Sequence, residues 1–263
     1  MPEGDTLRRT AAGLAPHLVG RVVTAARVRP GGPQVQRVVG ATVDAVEAAG
    51  KNLLIRFDNG LELRTHLRMT GSWHRYRPGE RWRRPESRAR LVLEVPGAVA
   101  VCFDAPVVEL FETRAAAIHP TLSRLGPDLL DPAWSPDHAA EARRRLRDPA
   151  RAGLSISEAL LDQRALAGIG NIWRNETLFA ERVDPFARVA DLDDATLARL
   201  VATARRLLRG SAGVVPGRVP LAVYGRAGRP CRRCGTLLRT RPLPGELPRT
   251  TYWCPTCQPT TEA

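Results

Sequence analysis

Between residues 5 and 19 the apolar positions Leu7, Ala11, Leu14 and Leu18 recur at helical spacing behind Asp5, which is placed to cap a helix, so the stretch is predicted to be an amphipathic helix. From about residue 21 the period shortens. Runs at 42–48, 52–57, 61–67, 90–95 and 98–103 predict strands, with Asp58-Asn59-Gly60 and Pro96-Gly97 as the turns between them. Several short strands punctuated in this way predict a β-sandwich or barrel reaching to about residue 115. The Arg- and Pro-rich stretch 74–88 is predicted to be an exposed loop, and the proline-loaded stretch 119–136 a linker. The period returns to helical at 137–147, 155–164, 171–182 and 193–209. Residues 211–221 carry Gly and Pro and predict irregular chain, and no internal repeat is present.

A chain of 263 residues is long enough to bury a substantial core over two domains and a small appendage. No run of about 18 apolar residues marks a transmembrane helix. The start Met1-Pro2-Glu3-Gly4 lacks the basic and apolar regions of a secretory signal, so a cytoplasmic home is expected. The formal net charge of +13 suits a polyanion. Nucleic acid fits better than membrane, because no long basic amphipathic helix with a bulky apolar face occurs.

The basic residues are 39 Arg and one Lys, Lys51. Lysine can lose its proton, act as a nucleophile or serve as a compact donor, and arginine cannot replace it in the first two roles. Of the five cysteines, Cys102 lies in the apolar run 99–103 and is expected to be a buried small hydrophobe. The other four form two C-x-x-C pairs, Cys231/Cys234 and Cys254/Cys257, separated by 19 residues. Each pair can supply one edge of a tetrahedral zinc site, and the intervening length suits a β-hairpin. The alternative, a pair of disulfides, is disfavoured in the cytoplasm. With no histidine or open position evident, one structural zinc is expected, shaping a loop (239–253) that carries Arg239, Arg241 and Arg249.

Residues 160–176 predict helix, turn and helix. Gly168 and Gly170 permit unusual dihedrals in the turn, and Asn171 stands where the second helix begins. Free backbone N–H groups and an Asn side chain at a helix start make a natural phosphate site, although an ordinary helical hairpin also fits.

Taken in order, Met1-Pro2-Glu3-Gly4, Gly50-Lys51, His66-Leu67-Arg68-Met69-Thr70-Gly71, Leu161-Asp162-Gln163 with Gly168-Ile169-Gly170-Asn171-Ile172, and the four-cysteine finger resemble the bifunctional DNA glycosylases of the formamidopyrimidine-DNA glycosylase and endonuclease VIII family. The resemblance covers nearly the whole chain. It implies an α+β multidomain fold: an N-terminal helix plus β-sandwich (1–118), a linker (119–136), a helical helix-two-turn-helix domain (137–221) and a C-terminal zinc β-hairpin (222–258). It also implies loss of Met1, so that Pro2 becomes the nucleophile. An α-amino group titrates near about 7.7–8.0, against about 10.4 for lysine, so a useful fraction is neutral at pH 7. Attack on the sugar C1′ would form an iminium that drives loss of the base and then β- and δ-elimination. Glu3 resembles the carboxylate that moves protons at the sugar. Lys51 resembles the turn lysine at the lesion phosphate, while Arg249 and Asn171 resemble the phosphate contacts of the zinc hairpin and the helical motif.

A flipped base leaves a space to be filled, and Met69 fits an apolar wedge or else a core methionine at a strand end. The formamidopyrimidine branch carries an Arg-Phe-Gly loop, whereas this chain has Val107-Val108-Glu109-Leu110-Phe111-Glu112-Thr113 there. That departure favours the endonuclease VIII branch, with oxidised pyrimidines and abasic sites as substrates and 8-oxoguanine as the alternative. A second departure is Thr6, where family members commonly have a glutamate, with Asp5 a possible substitute. Expected partners are lesion-containing double-stranded DNA, bound by a monomer associated with a bacterial nucleoid. The rival readings are a catalytically silent DNA-binding member of the scaffold and an RNA-binding zinc-ribbon protein.

Overall fold

In the computed structural model, which describes residues 2–213, 219–243 and 249–259, the chain separates after Arg124 into two compact units. The first begins with helix α1 (Gly4–Leu18). Its buried stripe is Leu7, Ala11, Leu14 and Leu18, as the helical spacing requires. Asp5 is not the cap. Glu3 takes that position, and Asp5 lies in the first turn, where an acid is favoured by the helix dipole.

Eight strands follow: β1 (Ala25–Val28), β2 (Val43–Ala49), β3 (Asn52–Phe57), β4 (Leu61–His66), β5 (Ser72–Tyr76), β6 (Ala89–Val95), β7 (Ala98–Phe103) and β8 (Val107–Glu112). They form two antiparallel four-stranded sheets, ordered β1-β6-β7-β5 and β2-β3-β4-β8. Leu53, Ile55, Leu63, Leu91, Leu93 and Cys102 of the two sheets share one core with α1, so the unit is a β-sandwich with a helix packed on it. Strand β7 is buried on both faces, because Val101 and Phe103 join Tyr76 and Val92 in a second cluster. This explains its unbroken apolar run. Cys102 is fully buried there, and burial pushes its thiol well above the ordinary cysteine range. The expected loop at 74–88 is shorter than its composition implies, since residues 74–76 belong to β5 and pair with β7.

The second unit holds α2 (Pro136–Leu146), α3 (Ile156–Leu161), α4 (Asn171–Ala180) and α5 (Asp194–Ser211), then a hairpin of β9 (Arg239–Leu243) and β10 (Arg249–Trp253). Ser155 and Glu158 form a capping box on α3, and Asp193 caps α5 by accepting the Thr196 N–H at 2.7 Å. Helix α3 stops at Leu161 rather than continuing to 164. Asp162 turns out of it to accept Arg151 at 2.7 Å and the Arg164 N–H at 2.9 Å. Leu129 and Leu130 sit in the helical core with Leu160, Trp173 and Leu200, so half of the proline-loaded stretch is part of this unit. Among the described residues no helix is long and apolar enough to cross a membrane.

Candidate active site and nucleic-acid interface

In the first unit Pro2 leads directly into Glu3. The Glu3 backbone is extended, and its carbonyl accepts the N–H groups of Thr6 (2.9 Å) and Leu7 (3.1 Å). Its carboxylate makes no cap bond to its own helix, yet the residue is only 1% exposed. The residue lies at the positive end of α1, where an acidic side chain is favoured. Asp5 is committed elsewhere, its Oδ2 accepting Arg9 Nη1 at 3.2 Å. Helix α1 packs against β2 and β3, the two strands whose turn carries Lys51.

That turn has two residues. Ala49 pairs with Asn52, leaving Gly50 and Lys51 between them. Gly50 has φ +56° while Lys51 keeps a negative φ, the pattern of a type II′ turn, and glycine is the residue that supplies it without strain. Asn52, buried, closes the turn from inside. Its Nδ2 donates to the Ala49 carbonyl and its Oδ1 accepts Arg64 Nε, both at 2.9 Å. Arg64 is itself buried and ion-paired to Glu109.

His66 lies opposite Asn52 in the β3–β4 register. The Arg68 N–H donates to its Nδ1 at 3.2 Å, which leaves the proton of the neutral ring on Nε2. Burial, followed by the charges of Arg64, Lys51 and Arg68, pulls the His66 pKa down to about 4. A neutral imidazole thus stands among three cations, an arrangement that attracts a phosphate and offers it a hydrogen-bond donor. Sequence reasoning passed over His66 except as part of its motif. The available signal was a histidine ending the strand that pairs with the lysine hairpin.

The 67–71 turn is tight. The Gly71 N–H donates to the Leu67 carbonyl at 2.9 Å, and a Cβ on Gly71 would meet that oxygen at 2.7 Å. Arg68 takes φ +45°. Leu67 is buried and Met69 is 60% exposed, so Met69 is not a core methionine. Strand β8 pairs with β4 along its full length, and only residues 104–106 connect it to β7. Asp104, at φ +54°, is anchored there by Arg84 (2.7 Å) and Arg88 (2.9 Å).

In the second unit Gly168 takes φ +95°, and the Gln163 side chain holds the turn by accepting the Gly168 N–H (3.1 Å) and donating to the Ile169 carbonyl (3.0 Å). Gly170 is the N-cap of α4 in an extended conformation, and Asn171 is the first helical residue. Asn171 faces the hairpin, its Nδ2 donating to the Thr250 carbonyl (3.2 Å) and its Oδ1 accepting Arg174 Nη2 (2.6 Å). Arg174 also donates to Thr251 Oγ1 (3.2 Å), and Asn175 Oδ1 accepts the Tyr252 N–H (2.8 Å). These bonds seat α4 on β10 and bring Asn171 to Thr250, which follows Arg249, the first residue of that strand. Residues 244–248, the rest of the expected loop, lie outside the described residues.

The Sγ atoms of Cys231, Cys234, Cys254 and Cys257 lie within 4.8 Å of one another, and no disulfide links them. Thiolates on a tetrahedral zinc at about 2.3 Å stand roughly 3.8 Å apart, so the cluster is of the size one metal ion requires. Backbone N–H groups of Arg233 and Cys257 point at Cys231 Sγ and Cys254 Sγ, both at 3.4 Å, as suits thiolate ligands. Two buried side chains that the sequence did not single out fix this module to the helices. Glu176 accepts the N–H groups of Ala222, Val223 and Tyr224 (2.8, 3.0 and 2.8 Å). Gln258 accepts the Cys254 N–H (3.1 Å) and donates to the Val183 carbonyl (2.9 Å).

Comparison with known proteins gives the same picture over the full length. Residues 1–106 match the formamidopyrimidine-DNA glycosylase N-terminal domain, and residues 125–215 match the formamidopyrimidine-DNA glycosylase H2TH domain. The chain is 41% identical to the probable endonuclease 8 2 of Streptomyces coelicolor, covering 98% of this chain and 94% of that protein. It is 40% identical to the DNA-(apurinic or apyrimidinic site) lyase Nei2 of Mycolicibacterium smegmatis, covering 98% and 99%. Among solved structures, the MutM (Fpg) protein of Thermus thermophilus superposes with TM-score 0.81 at 28% identity, covering 98% of each chain. The Lactococcus lactis Fpg complexed with N7-benzyl-Fapy-dG-containing DNA shares the fold, with TM-score 0.83 at 20% identity, covering 98% of this chain and all of that one. A proline–glutamate start on α1, a lysine on the β2–β3 turn, an asparagine at the start of α4 and a four-cysteine hairpin, together with these likenesses, place the chain in the formamidopyrimidine-DNA glycosylase/endonuclease 8 family.

Proposed function

We propose that this protein is a base-excision repair enzyme that removes oxidised bases from DNA and nicks the resulting abasic strand. The observation that carries the proposal is Glu3, buried at the positive end of α1 directly after Pro2. With Met1 removed, the Pro2 secondary amine attacks the sugar C1′ and the base departs, leaving a cationic iminium. Loss of a C2′ proton then expels the 3′ phosphate, and a second elimination expels the 5′ phosphate. Glu3 moves protons at the sugar, being fixed and shielded from bulk water. Lys51 contributes a compact charge at the lesion phosphate. Gly170, Asn171 and Arg249 take flanking phosphates, and exposed Met69 fills the space left by the flipped nucleotide.

The four cysteines hold one zinc ion, whose role is structural because all four positions are protein thiolates. The division proposed for these tasks is a catalytic sandwich to about residue 118, a helical DNA-binding domain that takes in residues 125–136 of the expected linker and runs to 221, and a metal finger from 222 to 258, acting as a monomer. Oxidised pyrimidines are the favoured bases. What supports that preference is that residues 107–112, where the formamidopyrimidine branch carries its Arg-Phe-Gly loop, are the strand β8 in this chain.

Borohydride trapping on an abasic duplex tests the mechanism. The wild type should form a covalent adduct that maps to Pro2, and Glu3→Gln should lose base excision. Adduct formation at wild-type yield by Pro2→Gly with its amine blocked by acetylation would overturn the assignment of the nucleophile.

A further inference from the structure

On the second unit a cavity of about 730 Å³ lies between α2 and α5, and no residue placed in the proposed chemistry lines it. Its long wall is one stripe of α5: Ala198, Val201 and Ala202, followed by Arg205, Arg206 and Arg209. These positions recur every three or four residues, so they share one face. From Ala198 to Gly210 the stripe is about 18 Å long at the helical rise. The stripe is polarised. Its first half is small and apolar and its second half is cationic, with Trp134 and Ala139 also lining the cavity.

Among the described residues no acidic side chain lines the cavity. Arg205 is held in place: its guanidinium lies 4.8 Å over the Trp134 ring, and it donates to the Leu129 carbonyl. Burial, then the like charge of Arg209, pulls Arg205 below the usual arginine value. Arg143 on α2, together with Arg206 and Arg209, has no hydrogen-bond or ion-pair partner among the described side chains. By contrast, neighbouring Arg144, Arg145 and Arg147 are all ion-paired, to Glu141 or Asp194. Uncompensated guanidinium groups beside an apolar floor are complementary to an anionic ligand with an apolar end.

We propose that this groove binds an acidic, amphipathic peptide segment of a partner protein, its carboxylates on Arg143, Arg206 and Arg209 and an apolar anchor over Ala198, Val201 and Ala202. Length selects a peptide over a small molecule, because five or six extended residues span about 18 Å. The apolar half selects a peptide over DNA, whose phosphate backbone has no group to bury there. The site lies in the same unit as the phosphate contacts, so a partner held there is carried to the DNA with the enzyme.

The test uses the full-length, metal-loaded protein and a fluorescein-labelled peptide of four glutamates followed by Leu-Phe-Leu. Fluorescence anisotropy should show saturable binding. Arg206→Glu combined with Arg209→Glu should weaken it at least tenfold, and Ala202→Trp, which fills the apolar half from an exposed position, should weaken it to a similar extent. Neither variant should change abasic-strand nicking by more than about twofold at low salt. The proposal is overturned if the peptide does not bind, if a glutamine-for-glutamate peptide binds equally well, or if both variants bind as the wild type does. It is also overturned if undamaged duplex displaces the peptide and the arginine variant loses nicking, which would assign the face to DNA.

Discussion

At the residue scale, His66 and Lys51 divide two tasks at one corner of the sandwich. Lys51 brings charge on a flexible stem, while His66 brings a fixed donor that stays neutral because burial and three surrounding cations oppose its protonation. A folded-state pKa of about 4, against 6.5 for an ordinary histidine, means that the unfolded chain takes up the proton first as pH falls. The stability linked to His66 is therefore complete above pH 6.5, declines as pH falls toward 4 and is flat below that. Allowing for solvent screening at a partly buried ring, the effect has a size of about 1–2 kcal/mol. Urea unfolding of the wild type and His66→Gln across this window should show a steeper acid loss in the wild type. Parallel curves would mean that the histidine is not held neutral. Sequence alone marked Lys51 by its rarity. The character of His66 depends on Arg64, brought alongside by β4, and on a backbone N–H two residues ahead, neither of which a motif displays.

Elements carry the next level of organisation. The β2–β3 turn, the 67–71 turn and the α4–β10 seam each present a side chain from a backbone fixed by a glycine or by buried amides. At the seam, Asn171, Arg174 and Asn175 bond to Thr250, Thr251 and Tyr252, so the start of α4 and the start of β10 move as one piece. Arg249→Ala should remove one phosphate contact without loosening the seam. The slope of log affinity against log salt should then fall by about 0.9, with affinity for lesion and undamaged duplex weakened alike. An unchanged slope would remove Arg249 from the phosphate contacts. The strongly periodic elements were legible in the sequence, with α1, β3, β4, β6 and β7 found within a residue or so at each end. Strand β5 was lost in an Arg- and Pro-rich composition, although Trp73 and Tyr76 are buried and bonded, Trp73 Nε1 to Thr65 Oγ1 at 3.0 Å. Helix α3 ended early because Asp162 finds Arg151, a tertiary partner that outweighs the helical pattern.

Over the whole molecule, two units with separate cores share one chain. Metal dependence should therefore be confined to one of them. The buried core of the hairpin among the described residues is Phe179, Val223, Leu238 and two of the cysteines, too little to hold itself without the proposed metal cross-link. Stripping the metal with a strong chelator should raise amide exchange across 229–243 and 249–258 by about a hundredfold or more. The strands of the sandwich should keep their protection, and affinity for DNA should fall. Uniform loss of protection in both units would contradict this division. The single lysine has one more consequence. With Pro2 as the mature terminus, the chain carries two aliphatic amines against 39 guanidinium groups, and both belong to the proposed chemistry. Reductive methylation with isotopic formaldehyde would then write two resonances into the spectrum of the protein, one on the proposed nucleophile and one on the lysine of the β2–β3 turn. Both proposed groups could thus be tagged without substitution of a residue, because the basic residues are almost wholly arginine.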